Sequence, residues 1–255
     1  MPKLFCVSDI HGFYDQFKEA LDNSGFDKDN EDHWLIVCGD LLDRGQKPLE
    51  LIEFIESLSR KILIRGNHED LLEELCLRGF PYGYDRSNGT ESTVCQLAKK
   101  LGFEFDNRYD DVHKRLKPLL DSMVDYFETK NYVFVHGWIP CAVSYKMSGR
   151  SYQPTDWRNA NKAFWEEARW LNPFDVSKQV TVPDKRVICG HWHCSTGWSR
   201  EYGLSELGKD ARWEPYYTTD MIAIDRCTAY TGKVNIVVLE DDFIGRNEDT
   251  EQIKS

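Results

Sequence analysis

Five times along this chain a short apolar run ends in a cluster of Gly, Asp, Asn or His. Leu4-Phe5-Cys6-Val7 runs into Ser8-Asp9-Ile10-His11-Gly12. Trp34-Leu35-Ile36-Val37-Cys38 runs into Gly39-Asp40-Leu41-Leu42-Asp43-Arg44-Gly45, and Ile62-Leu63-Ile64 is followed by Gly66-Asn67-His68-Glu69. Later, Tyr132-Val133-Phe134-Val135 leads to His136-Gly137, and Arg186-Val187-Ile188-Cys189 leads to Gly190-His191-Trp192-His193. Such short apolar runs read as strands buried on both faces. Between the first three, residues 14–21, 48–58 and 70–77 read as helices. In the second of these, Leu51, Phe54, Ile55 and Leu58 share one face while Glu50, Glu53 and Glu56 turn away. Strands alternating with helices call for a sheet covered by helices. The carboxyl ends of strands in α/β sheets open on one crevice, where ligands bind. Five polar clusters far apart in sequence are therefore expected to converge.

Their chemistry is that of a metal centre. Imidazole and carboxylate donors together suit Mn, Fe, Co, Ni or Zn. Asp9 and His11 are two residues apart, as are His191 and His193, so extended backbone would put each pair on one face. An aspartate between two ions can bridge them, and Asp40 is the central candidate; Asn67 offers an amide oxygen. The donors suffice for two ions about 3.5–4 Å apart, a spacing that clamps both oxygens of an in-line displacement at phosphorus. A single DxH or HxH pair carries little weight; the ordered set of five carries the inference. His33 and His113 lack the strand-end glycine and read as ordinary surface or boundary histidines.

Composition narrows the partners. The formal net charge of −11 and the absence of a basic stripe argue against extended nucleic acid. No apolar run approaches the ~20 residues of a membrane span, and the N-terminus reads as folded sequence, so no membrane partner and a cytoplasmic location are expected. Of the 8 cysteines, Cys6, Cys38 and Cys189 lie inside apolar runs, and no CxxC occurs. They read as buried thiols in a reducing setting. Residues 1–255 are read as one domain. Within it, 76–131 is expected to be a cap or insertion: a loop over 79–93, then helices over 92–101 and 112–127. A terminal hairpin is expected from 221–224 and 234–239 with its turn at 230–233, followed by a polar tail over 241–255.

Taken together, SDIHG (8–12), GDLLDRG (39–45), GNHED (66–70), HG (136–137) and GH (190–191) resemble the calcineurin-like binuclear metallophosphoesterases. The chain is most similar to their phosphoprotein (serine/threonine) phosphatase branch, of bacterial or phage type. Asn88-Gly89-Thr90 resembles the NGGxxT segment of bacterial members. Ile222-Ala223-Ile224-Asp225, then Tyr230-Thr231-Gly232-Lys233, resembles their final IDTG…GGKL strands. The resemblance implies an α/β fold: a four-layer α-β-β-α sandwich with a helical cap insertion. It implies two divalent metal ions, manganese first, with iron, zinc, nickel or cobalt as alternatives. Asp9, His11 and the bridging Asp40 would hold one ion, with His193 completing it. Asp40, Asn67, His136 and His191 would hold the other. His68 would be the general acid, oriented by Asp43. Arg44 and Asn67 would bind phosphate, as would a second arginine; of Arg150, Arg158 and Arg169, Arg169 beside Trp170 is preferred.

The activity so implied is hydrolysis of phosphomonoesters by in-line attack of a hydroxide bridging the metals, with serine/threonine protein phosphatase as the first reading. A dinucleoside tetraphosphate hydrolase and a non-catalytic, metal-stabilised regulatory module are the alternatives. The partner is a phosphoprotein or small phosphoester. SDIHG, HGW and GHWH depart from the usual GDIHG, HGG and single final histidine, and they bear on substrate more than on chemistry. Cys194 is expected to coordinate nothing, and Trp192 to turn into packing.

Overall fold

A computed structural model describes residues 1–147 and 149–244. The strands are β1 (Lys3–Val7), β2 (His33–Cys38), β3 (Lys61–Ile64), β4 (Phe127–Glu128), β5 (Tyr132–Phe134), β6 (Cys141–Lys146), β7 (Gly149–Pro154), β8 (Arg186–Cys189), β9 (Tyr216–Tyr217), β10 (Met221–Ala223) and β11 (Val237–Glu240). The helices are α1 (Tyr14–Asn23), α2 (Pro48–Ser57), α3 (Asn67–Arg78), α4 (Gly83–Asn88), α5 (Thr90–Leu101), α6 (Arg108–Asp121), α7 (Lys162–Ala168), α8 (Pro173–Val176), α9 (Cys194–Tyr202) and α10 (Thr228–Thr231). One sheet has the order β11-β1-β2-β3, a second the order β4-β5-β8-β10-β9, and β6-β7 form a separate hairpin.

The apolar runs are continuous because each strand packs on both faces. Along β1, Leu4 and Cys6 face the second sheet, whereas Phe5 and Val7 face the helices. Along β2, Ile36 and Cys38 point inward while Leu35 and Val37 point outward. Ile188 of β8 and Ile222 of β10 meet the first sheet; Val187, Cys189, Met221 and Ala223 face the opposite side. Three apolar clusters thus separate four layers: helices, sheet, sheet, helices. The four-layer sandwich is borne out.

Three expectations change. The strands at 221–223 and 237–240 do not pair: β10 lies parallel to β8, β11 runs antiparallel to β1, and α10 stands between them. The loop expected over 79–93 contains α4, and the last helix of that segment ends at Asp121, with a strand at Phe127–Glu128. The segment 76–131, expected as a cap or insertion, packs on the first sheet's helices. Val94, Leu97, Val112 and Leu116 join the core of the first sheet, and α5 and α6 pack on α3. Of the tail, Asp241 is buried and accepts hydrogen bonds from Asn131, and residues beyond Ile244 lie outside the described residues.

A candidate dimetal and phosphate site

The carboxyl ends of β1, β2, β3 and β8, with the turn after β10, open on one cleft of about 430 Å³, and His136 after β5 lies buried beneath it. The chain leaves these strands in sharp turns, and the turns are strained. Asp9 (φ 51°), His11 (52°), Asp40 (54°), Asp43 (75°), Arg44 (64°) and His191 (65°) are all left-handed. Each costs an L-residue about 1 kcal/mol or more, and the surrounding contacts must impose it. Glu69 is one such contact. It is fully buried and accepts from the backbone N–H groups of Asp40 (3.0 Å), Leu41 (2.9 Å) and Gly66 (2.9 Å). Gly66 itself lies so close to Asp40 that any Cβ would collide with its carboxylate and backbone nitrogen.

The histidines are held with one nitrogen committed and the other presented. His11 Nδ1 lies 3.0 Å from the Leu42 carbonyl and His136 Nδ1 lies 2.9 Å from that of Cys38. An N–H at each Nδ1 leaves both Nε2 atoms bare, as metal ligands require. His136 Nε2 stands 2.8 Å from Asn67 Oδ1 and 3.3 Å from Asp40 Oδ1. Burial keeps His136 below its usual pKa and so neutral. Three lone pairs therefore converge with no proton between them, an arrangement that a cation satisfies. Two donor groups share Asp40, namely His11 with Asp40 and His68, and Asp40 with His136 and His191, each with its donor atoms within 4.8 Å of one another. The donor set fits two adjacent divalent ions bridged by one carboxylate.

Burial sets the remaining charges. It raises Asp9 to about 6, helped by the Asp40 carboxylate against the pull of His136. It also raises Asp40 and holds Asp225 well above the carboxylate range. It drives His11 and His191 well below their usual value, reinforced by Arg44 at His11 and by His136 at His191. His68 is the exception. Burial pulls it down, but the charge of Asp40 and the hydrogen bond to Asp43 Oδ2 at 2.8 Å outweigh burial, and its pKa is raised. Arg44 extends its planar fork into the cleft, Nη1 2.7 Å from His11 Nε2 and Nη2 2.9 Å from His68 Nε2. Carboxylates and bare imidazoles for cations, a guanidinium for an anion, and one imidazole tuned to hold a proton make up the inventory of phosphoester hydrolysis.

The model of the calcineurin-like phosphoesterases matches residues 2–195. The chain belongs to that family. Symmetrical bis(5'-nucleosyl)-tetraphosphatases are among its relatives. That of Nitrosococcus oceani is 39% identical over 67 residues, 26% of this chain and 23% of the relative. That of Aeromonas hydrophila is 41% identical over 64 residues, 25% and 23% of the two chains. The matches thus span about a quarter of the length of these curated relatives. The fold is shared with a cold-active protein-tyrosine phosphatase of a Shewanella species (TM-score 0.56, 14% identity, 94% of this chain and 76% of the other). It is shared also with a Saccharomyces cerevisiae protein serine/threonine phosphatase (0.51, 16%, 97% and 82%) and a putative diadenosine tetraphosphatase (0.50, 14%, 96% and 97%).

Within this calcineurin-like site, Asp9, His11, Asp40, Asn67, His68, His136, His191, Asp43 and Arg44 come together as their strand ends suggest. Two expected members do not. His193 borders the cleft, but its Nδ1 meets Ser195 Oγ at 2.8 Å and its Nε2 faces Glu206 at 3.5 Å. The ring packs on Trp213 and joins neither donor group. Arg169 is buried, and its guanidinium is held by Asp70 and Asp125 rather than presented to the cleft. Trp192 also departs from expectation, since it borders the cleft besides packing on the second core. Cys194 is buried, and its thiol donates to the Ala223 carbonyl at 3.1 Å. Glu69, Thr90, Asp225 and Trp170 stand in or against the cleft without an expected role. For Glu69 a signal was present: an acid three residues after a glycine that opens a helix is half of a capping box. Trp170 is 53% exposed at the cleft mouth, edge-on to His191 at 5.9 Å, and nothing in its flanking sequence marks it.

Proposed function

We propose that this chain is a metal-dependent hydrolase of phosphomonoesters. The observation that carries the reading is the shared donor Asp40 between two imidazole-bearing groups, with Arg44 and His68 facing the same cleft. Two divalent cations bound there would supply a water of lowered pKa and neutralise phosphate charge. The chain's own residues do the rest. Asp9, His11 and Asp40 would hold one cation, and Asp40, Asn67, His136 and His191 the other. The two Arg44 donors that meet imidazole nitrogens here match the oxygens of a phosphoryl group, bidentate. The water oxygen forms the new P–O bond while the ester P–O bond breaks, its electron pair leaving with the alcohol oxygen. With Arg44 turned to the phosphoryl group, His68 Nε2 is free to carry a proton and gives it to that oxygen, while Asp43 steers the ring from Nδ1.

A single phosphoryl group suits the cleft. Arg44 is the one Lys or Arg among the described residues lining it, in a chain of net charge −11. A tetraphosphate chain would ask for more cationic side chains. Serine/threonine phosphoprotein is therefore the first substrate reading. Dinucleoside tetraphosphate is the second, favoured by the segments shared with symmetrical tetraphosphatases and by Trp170 and Trp192, whose indoles flank His191 as stacking surfaces for bases. Release of phosphate from a phosphoserine peptide and of nucleoside diphosphate from diadenosine tetraphosphate, by protein loaded with Mn²⁺, tests both, since a symmetrical cut of the tetraphosphate frees no phosphate. Faster turnover of the peptide is expected. The reverse ranking selects the second reading, and no release from either, or from an aryl phosphate, defeats the assignment.

A further inference from the structure

The junction between α4 and α5 reaches back to Asp43 and Arg44. These two residues are left-handed in succession, at φ 75° and 64°, which L-residues hold only where neighbours over-determine it. Gly89 (φ 85°) lies against them: a Cβ there would stand 2.6 Å from Arg44 N and 2.9 Å from Arg44 Cα. The junction can seat on Arg44 because residue 89 has no side chain. Thr90, next in the chain, is fully buried, and its hydroxyl donates to Asp43 Oδ2 at 2.7 Å. The same oxygen accepts from His68 Nδ1 at 2.8 Å, while Asp43 Oδ1 is buried without a partner. Asn88, before the glycine, lines the cleft beside Arg44.

We propose that Asn88-Gly89-Thr90 is a clasp that positions the proton donor: Gly89 seats it on Arg44, and Thr90 fixes which oxygen of Asp43 orients His68. This rests on the phosphoesterase reading of the cleft. The two oxygens of a carboxylate are chemically alike, so an aspartate with one anchor can turn about its last torsion. The Thr90 hydroxyl removes that freedom by binding the oxygen that already holds the imidazole. Thr90 is thus a positioning residue, acting through Asp43. Its effect must grow with the need for protonation: a basic alkoxide leaves only with a proton, whereas a nitrophenolate leaves readily without one.

The experiment compares manganese-loaded wild type, Thr90→Val and Thr90→Ser on p-nitrophenyl phosphate and on a phosphoserine peptide. Thr90→Val should lose about tenfold or more in kcat on the peptide and less than about threefold on the aryl ester, the scale of losing one hydrogen bond to a charged group. KM should stay within about twofold and metal content should not change. Thr90→Ser, which keeps the hydroxyl, should recover most of the loss. Should Thr90→Val fail to fold, Thr90→Cys carries the same comparison, because a thiol of similar size donates only weakly. Equal losses on both esters, or no rescue by serine, overturn the clasp and leave Thr90 a packing residue. A wild-type chain inactive on both esters removes the phosphoesterase reading and the clasp with it.

Discussion

Replacing Asp9 by asparagine should stabilise the metal-free protein and destabilise the metal-loaded one. Asp9 is 3% exposed. Burial raises its pKa from 3.8 to about 6, reinforced by the Asp40 carboxylate and offset in part by His136. The folded chain therefore holds this proton more tightly than the unfolded chain, so the group costs nothing below about pH 3.8. Its cost grows as pH rises between the two values and is complete above about 6. A shift of about two units, at about 1.4 kcal/mol each, makes about 3 kcal/mol at pH 7.5 and about 1 kcal/mol at pH 4.5. Asparagine removes the charge and keeps an oxygen for the His191 N–H, which donates to Asp9 Oδ2 at 3.0 Å. Urea unfolding with a chelator present should show the variant ahead by those amounts, a Tm gain of roughly 6–12 °C at the higher pH. With saturating Mn²⁺ the order should invert, because a cation that binds only the folded state stabilises the chain with the stronger ligands. A metal-free variant no more stable than wild type at pH 7.5 would refute the reasoning, since the buried charge would then be compensated inside the protein.

Three other outcomes follow from the geometry. His68→Asn should keep its metal content by elemental analysis and lose ~10²–10⁴-fold in turnover, the range of general acid catalysis; undiminished turnover would remove His68 from the mechanism. Arg169→Met should lose about 1–2 kcal/mol of stability in denaturant melts, because its removal takes a partner from Asp125 and from Asp70, which keeps Arg65. Inhibition by vanadate should change less than about twofold in that variant; a tenfold loss would put Arg169 on the phosphate after all. His193→Ala should retain two metals per chain, and a drop to one would restore His193 as a ligand.

The parts of the site legible in the sequence are those where one strand end carries its own chemistry. SDIHG, GDLLDRG and GNHED each bring donor, turn and strand in one stretch, so their convergence follows from sheet geometry alone. Placement across a broken period was less legible. His191 and His193 were expected on one face because alternate residues of a strand share a face. But β8 ends at Cys189, His191 is left-handed, and His193 already stands in extended backbone at the start of α9. With the alternation interrupted, the second ring turns to Ser195 and Glu206. Asp9 and His11 are also left-handed, yet their side chains still meet at 4.0 Å, which shows that the spacing alone decides nothing.

Strand pairing failed for a related reason. Met221–Ala223 and Val237–Glu240 are both short and largely apolar, and local sequence does not record which sheet accepts each. The partners β8 and β1 are distant in the chain and exert their choice through the shared apolar interface of Ile188, Ile222, Leu4 and Val237. Arg169 was misplaced likewise: a buried arginine goes where the carboxylates are, and its partners Asp70 and Asp125 lie 99 and 44 residues away. The same network carries a functional consequence. Asp70 shares the first turn of α3 with Asn67 and His68, while Arg169 precedes Trp170, whose ring meets His191 edge-on. The ion pair thus ties the helix carrying the proposed proton donor to the turn that walls the cleft. Arg169, expected on the phosphate, joins two elements that border the cleft.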